Sequence, residues 1–223
     1  MTILAVETAL GACSAAVISE GRVLAQEHEP MLRGHAEALA PMVQRVMKQA
    51  GIEFRSLKRV AVTTGPGTFT GQRVGLAFAR ALALALNIPA LGISTLEVMA
   101  AEALSRFPDA LWAISAGDAK RAEIYLAAAA RGSEQLIPPR LIPGEEAGWV
   151  VSGTAEKFGW SPVLAGTAAP ALRAQLNETG YSALDSEVRQ PTAAFVALCC
   201  ERLADADSAR PLYLRPPDAK LPP

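Results

Sequence analysis

The sequence predicts an α/β protein of two related subdomains, and three observations carry that prediction. The first 30 residues read as three strands joined by turns, and helical and extended patterns then alternate up to residue 105. A second strand–turn–strand opening follows at Leu111, which points to an internal duplication. Between them, in residues 65–86, a glycine loop launches an almost wholly apolar helix. The expected units are residues 1–105, residues 106–215, and a proline-rich, disordered tail at 216–223.

In chain order, Ile3–Val6, Cys13–Ile18 and Arg22–Glu27 are the expected strands of the opening meander. From His35 the period becomes helical, with Leu39, Met42, Val43, Val46 and Met47 on one face and Gln44, Arg45 and Lys48 opposite. Gly51 can end that helix. Pro41 is either its first residue or a bend in a helix that begins near His35. Arg59–Thr64 is a fourth strand and leads into Gly65, Pro66, Gly67 and Gly71. Thr68 or Thr70 can cap the helix that follows, which runs to Leu86 and is interrupted between Val74 and Leu86 only by Arg80. A helix without a polar face is either buried or covered by a partner. Ala90–Ile93 is a fifth strand, and Ser94 with Glu97 forms a capping box for the next helix.

The second half opens with a strand at Leu111–Ser115, a turn at Ala116–Asp118 and a strand at Ala122–Ala129. Pro138, Pro139 and Pro143 are expected to break the chain. Trp149–Ser152 and Val163–Ala165 are expected to be short strands, and Ala169–Asn177 and Thr192–Ala204 helices.

Composition removes several functional classes. With a formal net charge of −1 and no basic block, the chain lacks the electrostatic footprint of a protein that grips nucleic acid by itself. Three cysteines, two of them adjacent, fit buried thiols of a reducing cytoplasm rather than a disulfide framework. The apolar helix is shorter than the roughly 20 residues needed to span a bilayer, so no membrane role is expected.

The loop after the fourth strand is not a phosphate-binding P-loop, because it has neither the G-x-x-x-x-G-K-[ST] spacing nor the lysine. A two-histidine metal site on a helix needs i, i+4 spacing, and the residue four after His35 is Leu39. The turn Glu7–Ser14 resembles the phosphate-binding hairpins of the actin, sugar kinase and Hsp70 fold, where a carboxylate ends the first strand and orders a magnesium shell. Glu7, Thr8 and Gly11 are the candidate nucleotide contacts. Ala9, however, stands where the active enzymes usually have glycine. The run Asp118–Tyr125 is densely ionisable and reads equally as a site or as a solvated hairpin.

Taken together, the opening IxAVET…ACS, then HAEALAP, GPGTFTGQRVGLAFARALALALNIP, DAKRAEIY and the closing YLR resemble the bacterial TsaB (YeaZ) family. The resemblance implies an actin-like (ASKHA) ATPase fold with two RNase H-like subdomains and mixed five-stranded sheets. It also implies a cytoplasmic, non-catalytic subunit that pairs with the catalytic TsaD. TsaD, with the ATPase TsaE, transfers a threonylcarbamoyl group to the tRNA adenosine beside the anticodon. Pairing would use the first two helices, here His35–Ala50 and Thr70–Leu86. The implied contacts are His35, Leu39, Met42, Val43 and Val46 on one, and Thr70, Arg73, Val74, Ala77 and Ala81 on the other. Leu39→Glu or Val46→Glu would then abolish assembly and spare the fold. The isolated chain is expected to homodimerise, to bind no cofactor or metal, and to meet tRNA only within the complex; any nucleotide belongs at the joint with partners. Gly65, Pro66, Gly67, Phe69, Gly71, Asp118, Arg121, Glu123 and Tyr125 are motif residues without an assigned role. Glu7 replaces the family's usual aspartate, and Gln72 its commoner leucine. The alternative on the same fold is an ATP-dependent small-molecule kinase or a peptidase.

Overall fold

Two mixed sheets of five strands form the frame, and each is covered by helices on both faces. The computed structural model describes residues 1–132, 135–158, 161–203 and 209–215. The expected tail at 216–223 lies outside the described residues.

The first sheet holds β1 (Thr2–Glu7), β2 (Ala12–Ser19), β3 (Arg22–Pro30), β4 (Arg59–Thr63) and β5 (Ala90–Ile93), in the order β3-β2-β1-β4-β5. The β1–β2 and β2–β3 pairs are antiparallel, whereas β4 joins β1 and β5 joins β4 in parallel. Successive side chains of a strand point to opposite faces, so β1 serves two cores. Leu4 and Val6 pack with α1 (His35–Ala50) and α2 (Phe69–Leu86). Ile3 and Ala5 pack on the other face with α6 (Ala193–Glu201).

The second sheet repeats the plan with β6 (Trp112–Asp118), β7 (Glu123–Ala130), β8 (Gln135–Pro143), β9 (Val163–Ala165) and β10 (Leu184–Asp185), in the order β10-β9-β6-β7-β8. The element order in both halves is βββαβαβα, α5 (Ala169–Glu178) lying between β9 and β10, with matching parallel and antiparallel neighbours. The duplication suggested by the second opening is therefore present in the topology.

The halves exchange their last helices. α3 (Thr95–Arg106) places Leu96 and Met99 against Ala113, Ala127 and Val163 of the second sheet. In return, α6 packs on β1, β2 and β4 of the first sheet. Division at residue 105 separates the sheets but not these helices, which cross between them.

Several local expectations need correction. Trp149–Ser152 is not a strand but part of α4 (Ala147–Phe158), whose inward residues Ala147, Val151 and Ala155 recur every four residues. Pro138, Pro139 and Pro143 do not break the chain; they lie in β8, an edge strand that needs no donors on its outer side. Asp118 ends β6, and the turn falls at 119–122, where Lys120, Arg121 and Ala122 all have positive φ. Pro41 lies inside α1, on its exposed face. α2 begins at Phe69 rather than Thr70, with Thr68 as the cap that accepts from the Gly71 N–H.

Candidate functional site

The turn after β1 and the glycine loop after β4 meet at the ends of their strands, and the loop is pressed onto the turn. Thr8 donates its hydroxyl to the Gly71 carbonyl at 2.7 Å, and the Thr68 N–H donates to the Ala9 carbonyl at 2.7 Å. A Cβ at Gly71 would stand 2.1 Å from the Thr8 carbonyl oxygen, and one at Gly67 would stand 2.3 Å from that of Ala9. At Gly75 it would stand 2.6 Å from Thr8 Oγ1. These glycines are thus explained by close backbone approach within the chain. Gly65, with φ of +103°, starts the loop, and its peptide to Pro66 is cis.

Two backbone donors of the turn, like the Thr8 hydroxyl, are already engaged within the chain. The Ala9 N–H donates to Glu7 Oε1 at 2.6 Å, and the Gly11 N–H donates to Gln190 Oε1 at 3.0 Å. Thr63 adds its hydroxyl to Glu7 Oε1 at 3.1 Å, whereas Oε2 is buried without a partner among the described residues. Burial pushes the Glu7 carboxyl up to about 7, against the two hydrogen bonds that favour its charge. Gln72, which stands where the family commonly has leucine, is buried beside Gly65.

The second candidate region is the pair α1 and α2. On α1 the face read as a partner surface points inward: Leu39, Met42, Val43 and Val46 lie in the core with Leu4, Val6 and Val60, and His35 is buried at the helix start. Those five residues are not surface contacts in this conformation. An amphipathic helix covering a sheet must turn its apolar stripe toward that sheet, and α1 does so. Its exposed face comprises Ala36, Glu37, Ala40, Pro41, Gln44, Arg45, Lys48 and Gln49.

α2 differs because its outward side also carries apolar residues, with Arg73 and Arg80 as its only charges. Gly71, Gly75, Leu76, Ala79 and Ala83 face the sheet. Thr70, Arg73, Ala77 and Ala81 are exposed on the other side, with Val74 half-buried at its margin. Leu84, 84% exposed, continues this stripe seven residues after Ala77. The sequence reading missed it, although the i, i+7 spacing from Ala77 was there to find. Phe69 is 59% exposed at the top of the stripe. The Arg73 guanidinium lies 3.5 Å above the Phe69 ring, and its Nε donates to the Tyr213 hydroxyl at 3.3 Å. Tyr213 in turn stacks on Phe69 with ring centroids 6.2 Å apart.

The closing YLR segment therefore belongs to this region. The Leu212 N–H donates to the Thr64 carbonyl at 2.8 Å, beside the glycine loop. Arg215 reaches across to pair with Glu123 of the β6–β7 hairpin. Asp118 pairs with Lys120 at 2.6 Å on the hairpin surface, which holds the carboxyl below its ordinary range. Tyr125 is half-buried against the core around α3. The ionisable run is thus a tight turn tied to the C-terminal segment.

Among the described residues, no group of three His, Cys, Asp or Glu is arranged to hold a metal, and no helix is long and apolar enough to cross a membrane. Cys13 and Cys200 are buried and Cys199 is partly so, and all three are free. Burial pushes their thiols up to about 12, 12 and 11 respectively.

Comparison with known proteins agrees with this anatomy. Residues 25–141 match the family model described as TsaD, tRNA N6-adenosine threonylcarbamoyltransferase. The tRNA threonylcarbamoyladenosine biosynthesis protein TsaB of Escherichia coli is 33% identical, over 96% of this chain and 95% of that protein. Among solved structures, YeaZ from Pseudomonas aeruginosa superposes with a TM-score of 0.76 at 28% identity, covering 96% of this chain and 99% of that one. The ROK hexokinase of Thermus thermophilus matches with a TM-score of 0.54 at 14% identity, over 90% and 98% of the two chains. That likeness shows the fold alone, and the fold is actin-like (ASKHA). Full-length identity at this level shows that the chain belongs to the TsaB (YeaZ) family.

Proposed function

We propose that this chain is a non-catalytic subunit in the biosynthesis of threonylcarbamoyladenosine in tRNA. It docks a TsaD-like catalytic subunit through the outward face of α2 and the adjoining face of α1, and it works with a TsaE-like ATPase. The observation that carries this reading is the α2 stripe, Thr70, Arg73, Ala77, Ala81 and Leu84, exposed in the single chain although the helix has no conventional polar face. Small side chains at Ala77 and Ala81 permit close approach by another helix, and Phe69 and Tyr213 supply aromatic area at one end. The tRNA is met only within the complex, and the isolated chain pairs with itself at high concentration through the same apolar stripe.

The occupied donors of the β1–β2 turn support a role without nucleotide on the chain alone. A carboxyl at Glu7 that is near half-neutral at pH 7 is also poorly suited to order a cation. Ala77→Trp should abolish co-elution with the TsaD-like subunit while leaving the melting temperature of the isolated chain close to wild type. Unchanged co-elution would overturn the docking reading. Calorimetry with magnesium–ATP separates the kinase alternative, which requires tight binding by the chain without partners.

A further inference from the structure

The exposed stripe of α2 runs Thr70, Arg73, Ala77, Arg80, Leu84, in alternating steps of three and four residues. That is the spacing of a helix that packs lengthwise along another helix. Two of these five positions carry a guanidinium, and α2 contains no carboxylate anywhere in its sequence. Among the described residues neither Arg73 nor Arg80 has an ion-pair partner; Arg73 meets only the Phe69 ring and the Tyr213 hydroxyl. On the neighbouring face of α1, Arg45 is already satisfied by Glu27 at 2.8 Å, and the remaining exposed charges are Glu37 and Lys48. The outward surface of the two helices is thus cationic, on a chain whose formal net charge is −1.

This charge bears on which helix can occupy the stripe. In a symmetric self-pair the same patch meets itself. If the two copies of α2 run parallel, Arg73 faces Arg73 and Arg80 faces Arg80. If they run antiparallel about the midpoint between Leu76 and Ala77, each Arg73 lies level with the other copy's Arg80. Either way four guanidiniums share one seam that holds no carboxylate of its own. Apolar contact at Ala77, Ala81 and Leu84 would favour both a second copy and a foreign helix, so it cannot choose between them. Repulsive charge can.

We infer that the α2 seam is matched to a helix of a different polypeptide whose facing positions carry carboxylates, and that Arg73 and Arg80 select this acidic helix over a second copy of the chain. The inference rests on the docking reading above and adds to it the chemistry of the partner surface. Self-association is then the weaker, charge-opposed use of the same stripe.

The test measures both equilibria with the full chain. Sedimentation equilibrium follows self-association, and calorimetry with the TsaD-like catalytic subunit follows the heterodimer, each at low and high salt. Added salt should weaken the heterodimer and tighten self-association, because screening removes attraction from one and repulsion from the other. Arg80→Glu changes a self-paired seam from four guanidiniums to two guanidiniums and two carboxylates, level with one another when the copies run antiparallel. It should tighten self-association about tenfold and weaken the heterodimer by about the same factor. If Arg80→Glu shifts both equilibria in the same direction, or shifts neither, the charge selection is wrong. Ala77→Trp separates this failure from that of the underlying reading. If it blocks the heterodimer while Arg80→Glu changes nothing, α2 docks the partner without selecting by charge. If it leaves the heterodimer intact, α2 is not the docking helix and the inference falls with that reading.

Discussion

Replacing Glu7 by glutamine tests whether the carboxyl at the end of β1 is a charged ligand or a buried, largely neutral part of the frame. Its side chain is fully buried, and its pKa is raised from 4.5 to about 7, chiefly by desolvation. Between these values the folded chain holds a proton that the unfolded chain has released. The resulting cost to stability is absent below pH 4.5, grows as pH rises from 4.5 to 7, and is constant above. At 1.36 kcal/mol per pKa unit the full cost is about 3 kcal/mol. Glutamine keeps an oxygen for the Ala9 N–H and the Thr63 hydroxyl, and it cannot ionise. Any penalty for its amide is independent of pH and drops out of the comparison. Urea unfolding of both proteins across this pH range should show Glu7→Gln gaining about 3 kcal/mol on wild type as pH rises, at constant m-value. Parallel stabilities across the range would refute the reasoning, and would mean that Glu7 is ionised in the folded chain.

Other outcomes follow from the same contacts. Gly71→Ala should destabilise by about 1–3 kcal/mol or more, because the added methyl meets the Thr8 carbonyl at 2.1 Å and a backbone atom cannot swing aside; thermal melting measures it. Leu39→Ala should cost about 2–5 kcal/mol of folding stability through a core cavity, and below its melting temperature it should still co-elute with a TsaD-like subunit. Loss of assembly with unchanged melting would restore the inner face of α1 as an interface. The three thiols should resist alkylation in native buffer at pH 8 and react fully in denaturant, followed by mass.

How far the sequence could be read depended on which residues signal unambiguously. Gly51 as the end of α1, and Ser94 with Glu97 as a capping box, act through their own backbone, and both are found as expected. The run Trp149-Val150-Val151 misled because a short apolar stretch fits a strand or a helix. Only tertiary packing, with Val151 inward and Trp149 outward, decides between them. Prolines hid β8 because edge position belongs to the sheet order, which local sequence does not state. At the site, periodicity announces that a face is covered but not by what. The stripe Leu39–Met42–Val43–Val46 covers the chain's own sheet, and assigning it to a partner confused the two.

That distinction sharpens what the glycine loop does. In a nucleotide-binding turn, backbone N–H groups are left open toward the ligand, so a loop packed against them would be incompatible with binding. Here Gly67 and Gly71 bring the start of α2 within contact of the Thr8 and Ala9 carbonyls, and the N–H groups of Ala9 and Gly11 are spent on Glu7 and Gln190. The same approach fixes the first turn of α2, to which Tyr213 adds a stack on Phe69 from the far end of the chain. Rigidity of this kind has little value to a helix that only covers a sheet, since Leu76, Ala79 and Ala83 already anchor it. It does serve a helix whose outer stripe must be presented in one orientation, because ordering a docking surface in advance lowers the entropic cost of binding. The turn's carbonyls and the Thr8 hydroxyl thus hold the start of α2, the helix proposed to dock, while its N–H groups are held by Glu7 and Gln190.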